Sequence, residues 1–236
     1  MKKYGVFDII GPVMIGPSSS HTAGACKLGK IARNILGEKP LDVVFYLHGS
    51  FAKTYKGHGT DRALLAGILG MNPDDSLLRD SLEIAKERGV KYSFVEKDLE
   101  DVHPNSVEIE MKTKKGEIVS VIGSSIGGGA VEIIRVNGEN IKFSGNYPTL
   151  LVNQTDAPGV VAEVSKYLFD SNNNIAYMSL YRTQRGKEAT MIFELDENID
   201  RQTLKNMEKL NNVNYVRFIP LEKNTAINPA ETKINI

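Results

Sequence analysis

The chain has 236 residues, and its 29 Lys+Arg cancel its 29 Asp+Glu, a balance that weighs against nucleic acid as partner because phosphate binding draws on a basic excess. A single cysteine, Cys26, excludes an intrachain disulfide and any self-contained cysteine-held cluster or zinc site. No apolar run nears the ~18–20 residues of a bilayer span and Met1-Lys2-Lys3 leads into no signal-peptide core, so a cytoplasmic protein with no membrane partner is expected. Tyr4–Ile10 opens the chain as an apolar segment and is followed by Gly16-Pro17-Ser18-Ser19-Ser20-His21-Thr22. That set puts four hydroxyls and an imidazole where a helix begins, and a helix start suits an anion such as a carboxylate; one capping serine among solvated neighbours would explain it as well. Leu28, Ile31, Ile35 and Leu36 then share one face of a helix that Gly37 ends.

Residues 41–47 read as a strand running into His48-Gly49-Ser50, where His48 is expected to serve the fold. Gly57-His58-Gly59-Thr60-Asp61 reads as a loop before a helix over 62–69 capped by Thr60 or Asp61, with glycines exposing the His58 ring. Ser76–Arg88 is a further helix; 90–95, 107–111, 118–122 and 130–136 are strands. His103-Pro104-Asn105 stands before the second of these, and Gly123-Ser124-Ser125-Ile126-Gly127-Gly128-Gly129 reads as a backbone nest or a flexible hairpin turn. After Ser144–Pro148 comes a βαββαβ pattern. Its strands fall at 149–153, 175–183, 188–195 and 213–219, with helices after Asp156-Ala157-Pro158-Gly159 and after Asp200. The fold class is therefore α+β: residues 1–145 with a mainly antiparallel sheet covered by helices, a ferredoxin-like unit over 148–220, and a tail over 221–236.

Taken together, GPSSSHT, KGHGTD, HPN and SIGGG occur in an order that resembles the beta chain of bacterial iron–sulfur L-serine dehydratase. Residues 149–219 resemble an ACT domain, with Asn153 and Asp156-Ala157-Pro158-Gly159 matching its first loop. The resemblance implies an allosteric-substrate-binding-like N-terminal domain and a two-chain enzyme that converts L-serine to pyruvate and ammonia. It implies a [4Fe–4S] cluster held by cysteines of a separate alpha chain, and it leaves room for a monovalent cation such as potassium. His58 and His103 carry over as catalytic candidates. Ser18, Ser19, Ser20, His21, Thr22, Gly59, Thr60 and Asn105 carry over as substrate-binding lining. Asn153, Asp156, Pro158 and Gly159 carry over as an allosteric site, and ACT sheets imply a pair of beta chains. The N-terminal part also resembles a regulatory domain of some phosphoglycerate dehydrogenases, which implies the alternative of a serine-sensing module with no catalytic role. A free-standing ACT-type regulator of transcription is a third reading, against which stands the absence of a basic stripe.

Overall fold

A computed structural model describes residues 13–221; the expected segment Tyr4–Ile10 and nearly all of the expected tail lie outside the described residues. A widened helical turn, Ser19–Gly24, leads without a break into α1 (Ala25–Leu36). The apolar stripe expected on α1 is buried, and Gly37, at φ 81°, closes the helix by donating its N–H to Arg33 O. β1 (Asp42–Leu47) alternates as a half-buried strand should, with Val43, Phe45 and Leu47 fully buried. Then come α2 (Gly49–His58), α3 (Thr60–Ile68), a short 3-10 turn (Ser76–Asp80), α4 (Ser81–Glu87) and β2 (Lys91–Glu96).

β3 (Ser106–Lys112), β4 (Ile118–Gly127), β5 (Ala130–Val136) and the two-residue β6 (Phe143–Ser144) complete a six-stranded sheet in the order β2-β1-β3-β4-β5-β6. All neighbours pair antiparallel except β1 and β2, which lie parallel because three helices separate them in the chain. α2 was not expected. Its residues show no apolar stripe and only Phe51 is buried, so periodicity is silent there. The expected loop over 56–61 is thus the end of one helix and the start of the next.

The second unit runs β7 (Thr149–Thr155), α5 (Val160–Asp170), β8 (Ile175–Arg182), β9 (Glu188–Leu195), α6 (Arg201–Met207) and β10 (Val213–Ile219), in the sheet order β10-β7-β9-β8. One sheet face places Leu150, Val152, Met191 and Phe193 against Val160, Val164 and Leu168 of α5. The other places Leu151, Ile192 and Ile219 in the same core as α1. Arg217 of β10 donates through Nε to Ile35 O at 3.1 Å, on the last turn of α1, and Ser144 Oγ donates to Glu194 at 2.6 Å. The second unit therefore lends one sheet face to the core of the first and keeps a separate core under α5. Among the described residues no helix is long and apolar enough to cross a membrane.

α1 crosses α3 with almost nothing between the backbones. A Cβ at Gly29 would stand 2.2 Å from Leu64 O, and one at Gly67 would stand 2.0 Å from Cys26 O. A methyl there has nowhere to go, because both obstacles are backbone atoms. Gly67→Ala is expected to cost about 1–3 kcal/mol in urea unfolding. Gly57→Ala, where a Cβ meets no atom within 4 Å inside α2, is expected to be neutral or to gain at most about 1 kcal/mol.

Candidate functional site

The widened turn is built by Ser18. Its carbonyl accepts from Thr22 N at 2.9 Å and from Ala23 N at 3.4 Å, and its Oγ accepts from His21 N at 3.1 Å. Such turns are rare and sit disproportionately at functional sites. Gly24 lets the turn press onto β4, since a Cβ there would overlap the Ser125 hydroxyl at 2.0 Å. Ser19 and Ser20 therefore stand at the start of a continuous helical stretch, with its N-terminal N–H groups beside them.

His21 projects from this turn into the end of α2. Its Nε2 lies 3.1 Å from Ser50 Oγ, and its Nδ1 lies 3.5 Å from Ser18 Oγ. The ring meets Phe51 edge-on at 5.2 Å and the His58 ring at 4.8 Å, tilted by 55°. Thr22, buried, donates through Oγ1 to His58 O at 3.3 Å and so ties the turn to the last residue of α2. Gly59, at φ 67°, ends α2 and starts α3 in a single residue, a conformation that favours glycine. Thr60 follows, fully buried, with an Oγ1 that has no hydrogen-bond partner. His58 is exposed, on the rim of a cavity of about 460 Å³ whose walls include Lys53, Lys56 and Glu96.

The third motif joins through its backbone. Pro104 O accepts from Ser50 N at 2.8 Å and from Phe51 N at 3.4 Å, and Asn105 O accepts from Ser125 N at 2.9 Å. His103 is exposed, its Nδ1 accepting from Asn105 N at 3.1 Å within its own loop. Ser125 carries a second buried hydroxyl without a partner. Four motifs scattered over more than a hundred residues thus meet around His21, Ser50 and Ser125. His48 serves the fold: its Nδ1 accepts from Leu99 N at 3.1 Å, and the Asp98 carboxylate lies 3.2 Å away. Ser50 is the site residue that sequence reasoning missed, because a lone serine after a glycine carries no signal of its own.

The expected allosteric set does not come together. β7 alternates, so Asn153 shares the face of Leu151, away from α5, and bonds Thr190 at 3.3 Å and Asn214 at 2.8 Å. The Asp156 carboxylate is taken by Arg182 at 3.2 Å and by Gly186 N at 3.0 Å. Pro158 is exposed and Gly159, at φ 97°, starts α5 without a side-chain cap. On the α5 face it is Gln154 that is buried, with Oε1 unpartnered.

Among the described residues no group of three or more His, Cys, Asp or Glu could hold a metal ion. Cys26 is fully buried, its thiol directed at Met71 O at 3.5 Å. Burial, and secondly the neighbouring His58, lowers the His21 pKa from 6.5. Burial raises the Asp61 carboxyl, against the opposing pull of Arg62 and Lys56.

A family model described as "Serine dehydratase beta chain" matches residues 5–92, and an ACT domain model matches residues 149–212. The "L-serine dehydratase, beta chain" of Peptoniphilus asaccharolyticus is 43% identical over 220 residues, 92% of this chain and 99% of that protein. A Bacillus subtilis protein named "Probable L-serine dehydratase, beta chain" is 43% identical over 213 residues, 90% of this chain and 96% of the relative. The D-3-phosphoglycerate dehydrogenase of Bacillus subtilis is 28% identical over 201 residues, 84% of this chain but 37% of that enzyme.

The His21 shift gives a stability signature. With the folded pKa below the unfolded 6.5, both states are neutral above that value and the group contributes nothing. As pH falls below it the unfolded state takes the proton first, so stability drops until the folded pKa is passed. Melting temperature measured from about pH 8 to about pH 5 is expected to fall on the acid side, and His21→Gln is expected to flatten that limb. An unchanged limb in the variant would assign the loss to other groups.

Proposed function

From the premise that the chain belongs to the serine dehydratase beta-chain family, we propose that it deaminates L-serine to pyruvate and ammonia as one subunit of a complex with an alpha chain. The observation that carries this reading is the His21–His58 pair, seated between a helix start and an exposed cavity. A pure serine sensor needs clamps for carboxylate and ammonium but no paired imidazoles, which favours the enzyme over the regulatory module suggested by the dehydrogenase likeness.

Elimination needs a seat for the carboxylate, a base for the α-hydrogen and help for the departing hydroxide. The helix start at Ser19 and Ser20 offers N–H groups and hydroxyls to a carboxylate. His58, exposed on the cavity rim, is the candidate base. His103 and Asn105, on a loop fastened to Ser50 and Ser125, suit the orientation of the substrate. Loss of the proton and hydroxide leaves aminoacrylate, which tautomerises to the imine, and water hydrolyses the imine to pyruvate and ammonia. A [4Fe–4S] cluster does not fit this chain, whose only cysteine is buried, so its ligands are assigned to the alpha chain together with assistance to the hydroxide. A monovalent cation such as potassium belongs to the same reading and is tested by exchange for sodium.

The reading also includes a pair of beta chains. β8 is one of the two edges of the second sheet and exposes Tyr177, Met178 and Leu180, an apolar strand of the kind that invites pairing. Leu180→Lys is expected to shift the beta chain from dimer to monomer in light scattering; an unchanged mass would move the contact elsewhere.

Reconstitution with the alpha chain under anaerobic conditions tests the activity. His58→Ala is expected to lower kcat/KM by about 10²–10⁴-fold with little change in melting temperature. Near-normal turnover in that variant would move the base to the alpha chain, and full activity of the beta chain alone would overturn the reading.

A further inference from the structure

Ser50 belongs to none of the motifs, yet its position is closely determined. Its N–H donates to Pro104 O at 2.8 Å, and its carbonyl accepts from Thr54 Oγ1 at 2.8 Å. Gly49 before it sits at φ 56°, and a Cβ there would stand 2.7 Å from Pro104 O. The β1–α2 turn is thereby seated on the His103–Asn105 loop, and the hydroxyl of Ser50 has little freedom over where it points. It points to Nε2 of His21, at 3.1 Å.

The other contacts of that ring are weaker directors. Ser18 Oγ lies 3.5 Å from Nδ1, at the outer limit of a hydrogen bond. Phe51 and His58 touch ring faces and edges at 5.2 and 4.8 Å, which sets the tilt of the ring but leaves open which nitrogen holds the proton. The Ser50 hydroxyl can donate to Nε2 or accept from it, so what it directs is where Nε2 lies rather than which nitrogen holds the proton. The geometry points to Ser50 as a positioning residue of the His21–His58 pair: its hydroxyl fixes the orientation of the His21 ring, so that a defined edge of that ring stays against His58. The lowered His21 pKa is consistent with this, because a neutral His21 tolerates positive charge on His58 where a protonated one would repel it. The inference rests on the dehydratase reading of the cleft for its consequence in turnover, but not for the state of the ring.

Two measurements separate those dependencies. In the isolated beta chain, the ring ¹⁵N shift of His21 Nε2 reports its hydrogen bond to Ser50. Ser50→Ala is expected to move that shift, and Ser50→Thr, which keeps a hydroxyl, to restore the wild-type pattern. In the reconstituted complex Ser50→Ala is expected to lower kcat about tenfold, the scale of one lost hydrogen bond, with KM nearly unchanged, and Ser50→Thr to recover most of the rate. Melting temperatures confirm that both variants fold. Ring shifts that ignore Ser50→Ala overturn the inference, as does a rate loss that Ser50→Thr fails to rescue. If the wild-type complex leaves L-serine untouched, the dehydratase reading falls while the ring shifts still decide the role of Ser50.

Discussion

The contact between α1 and α3 is made by two backbones, with Gly29 and Gly67 removing the side chains that would hold the helices apart. Because α1 continues the widened turn, this crossing decides where His21 can be. Because α3 begins two residues after His58, the same crossing decides where that imidazole can be. Thr22, bonded to His58 O, marks the place where the two consequences meet. Side chains larger than hydrogen at either glycine would spread the helices and part the rings, so the spacing of the site is set by steric exclusion some distance from the chemistry.

Around that frame the cleft is finished mainly with neutral groups: serine and threonine hydroxyls, imidazoles and backbone N–H. Among the described residues the buried Thr60 and Ser125 hydroxyls have no hydrogen-bond partner, which is costly to the fold. A zwitterionic amino acid brings both donors and acceptors, and a site of fixed neutral dipoles stabilises charge that develops on it without the repulsion a carboxylate wall would cause. Lys53, Lys56 and Glu96 bring charge to the walls of the cavity beside His58.

Much of this was legible from pattern alone. Val43, Phe45 and Leu47 alternate, Val160, Val164 and Leu168 repeat at the helical period, and both patterns come true because burial is what they encode. α2 was hidden because it buries only Phe51, with Ala52 and Tyr55 half-buried beside it, too short an apolar pattern to read as a helix. The four motifs announced a shared cleft, but Ser50 did not, since its role comes from a β1–α2 turn seated on Pro104 and such long-range seating leaves no local trace. Asn153 and Asp156 lie apart for a reason the sequence also leaves unmarked. Being close in sequence to a helix start does not put a side chain there: strand alternation turns Asn153 to the other face, and Arg182 claims Asp156.

Arg217 reaches from β10 to the carbonyl of Ile35, while Leu151, Ile192 and Ile219 fill the space beneath it. The border drawn by sequence pattern near residue 146 is accordingly crossed by packed apolar surface. Cutting there would strand apolar surface on both fragments and leave the end of α1 without its guanidinium, so neither fragment inherits the stability of the whole. Heat or denaturant should therefore reach the two sides of this border together, and a residue on the far sheet can weaken the cleft simply by lowering the unfolding free energy that the shared surface supplies.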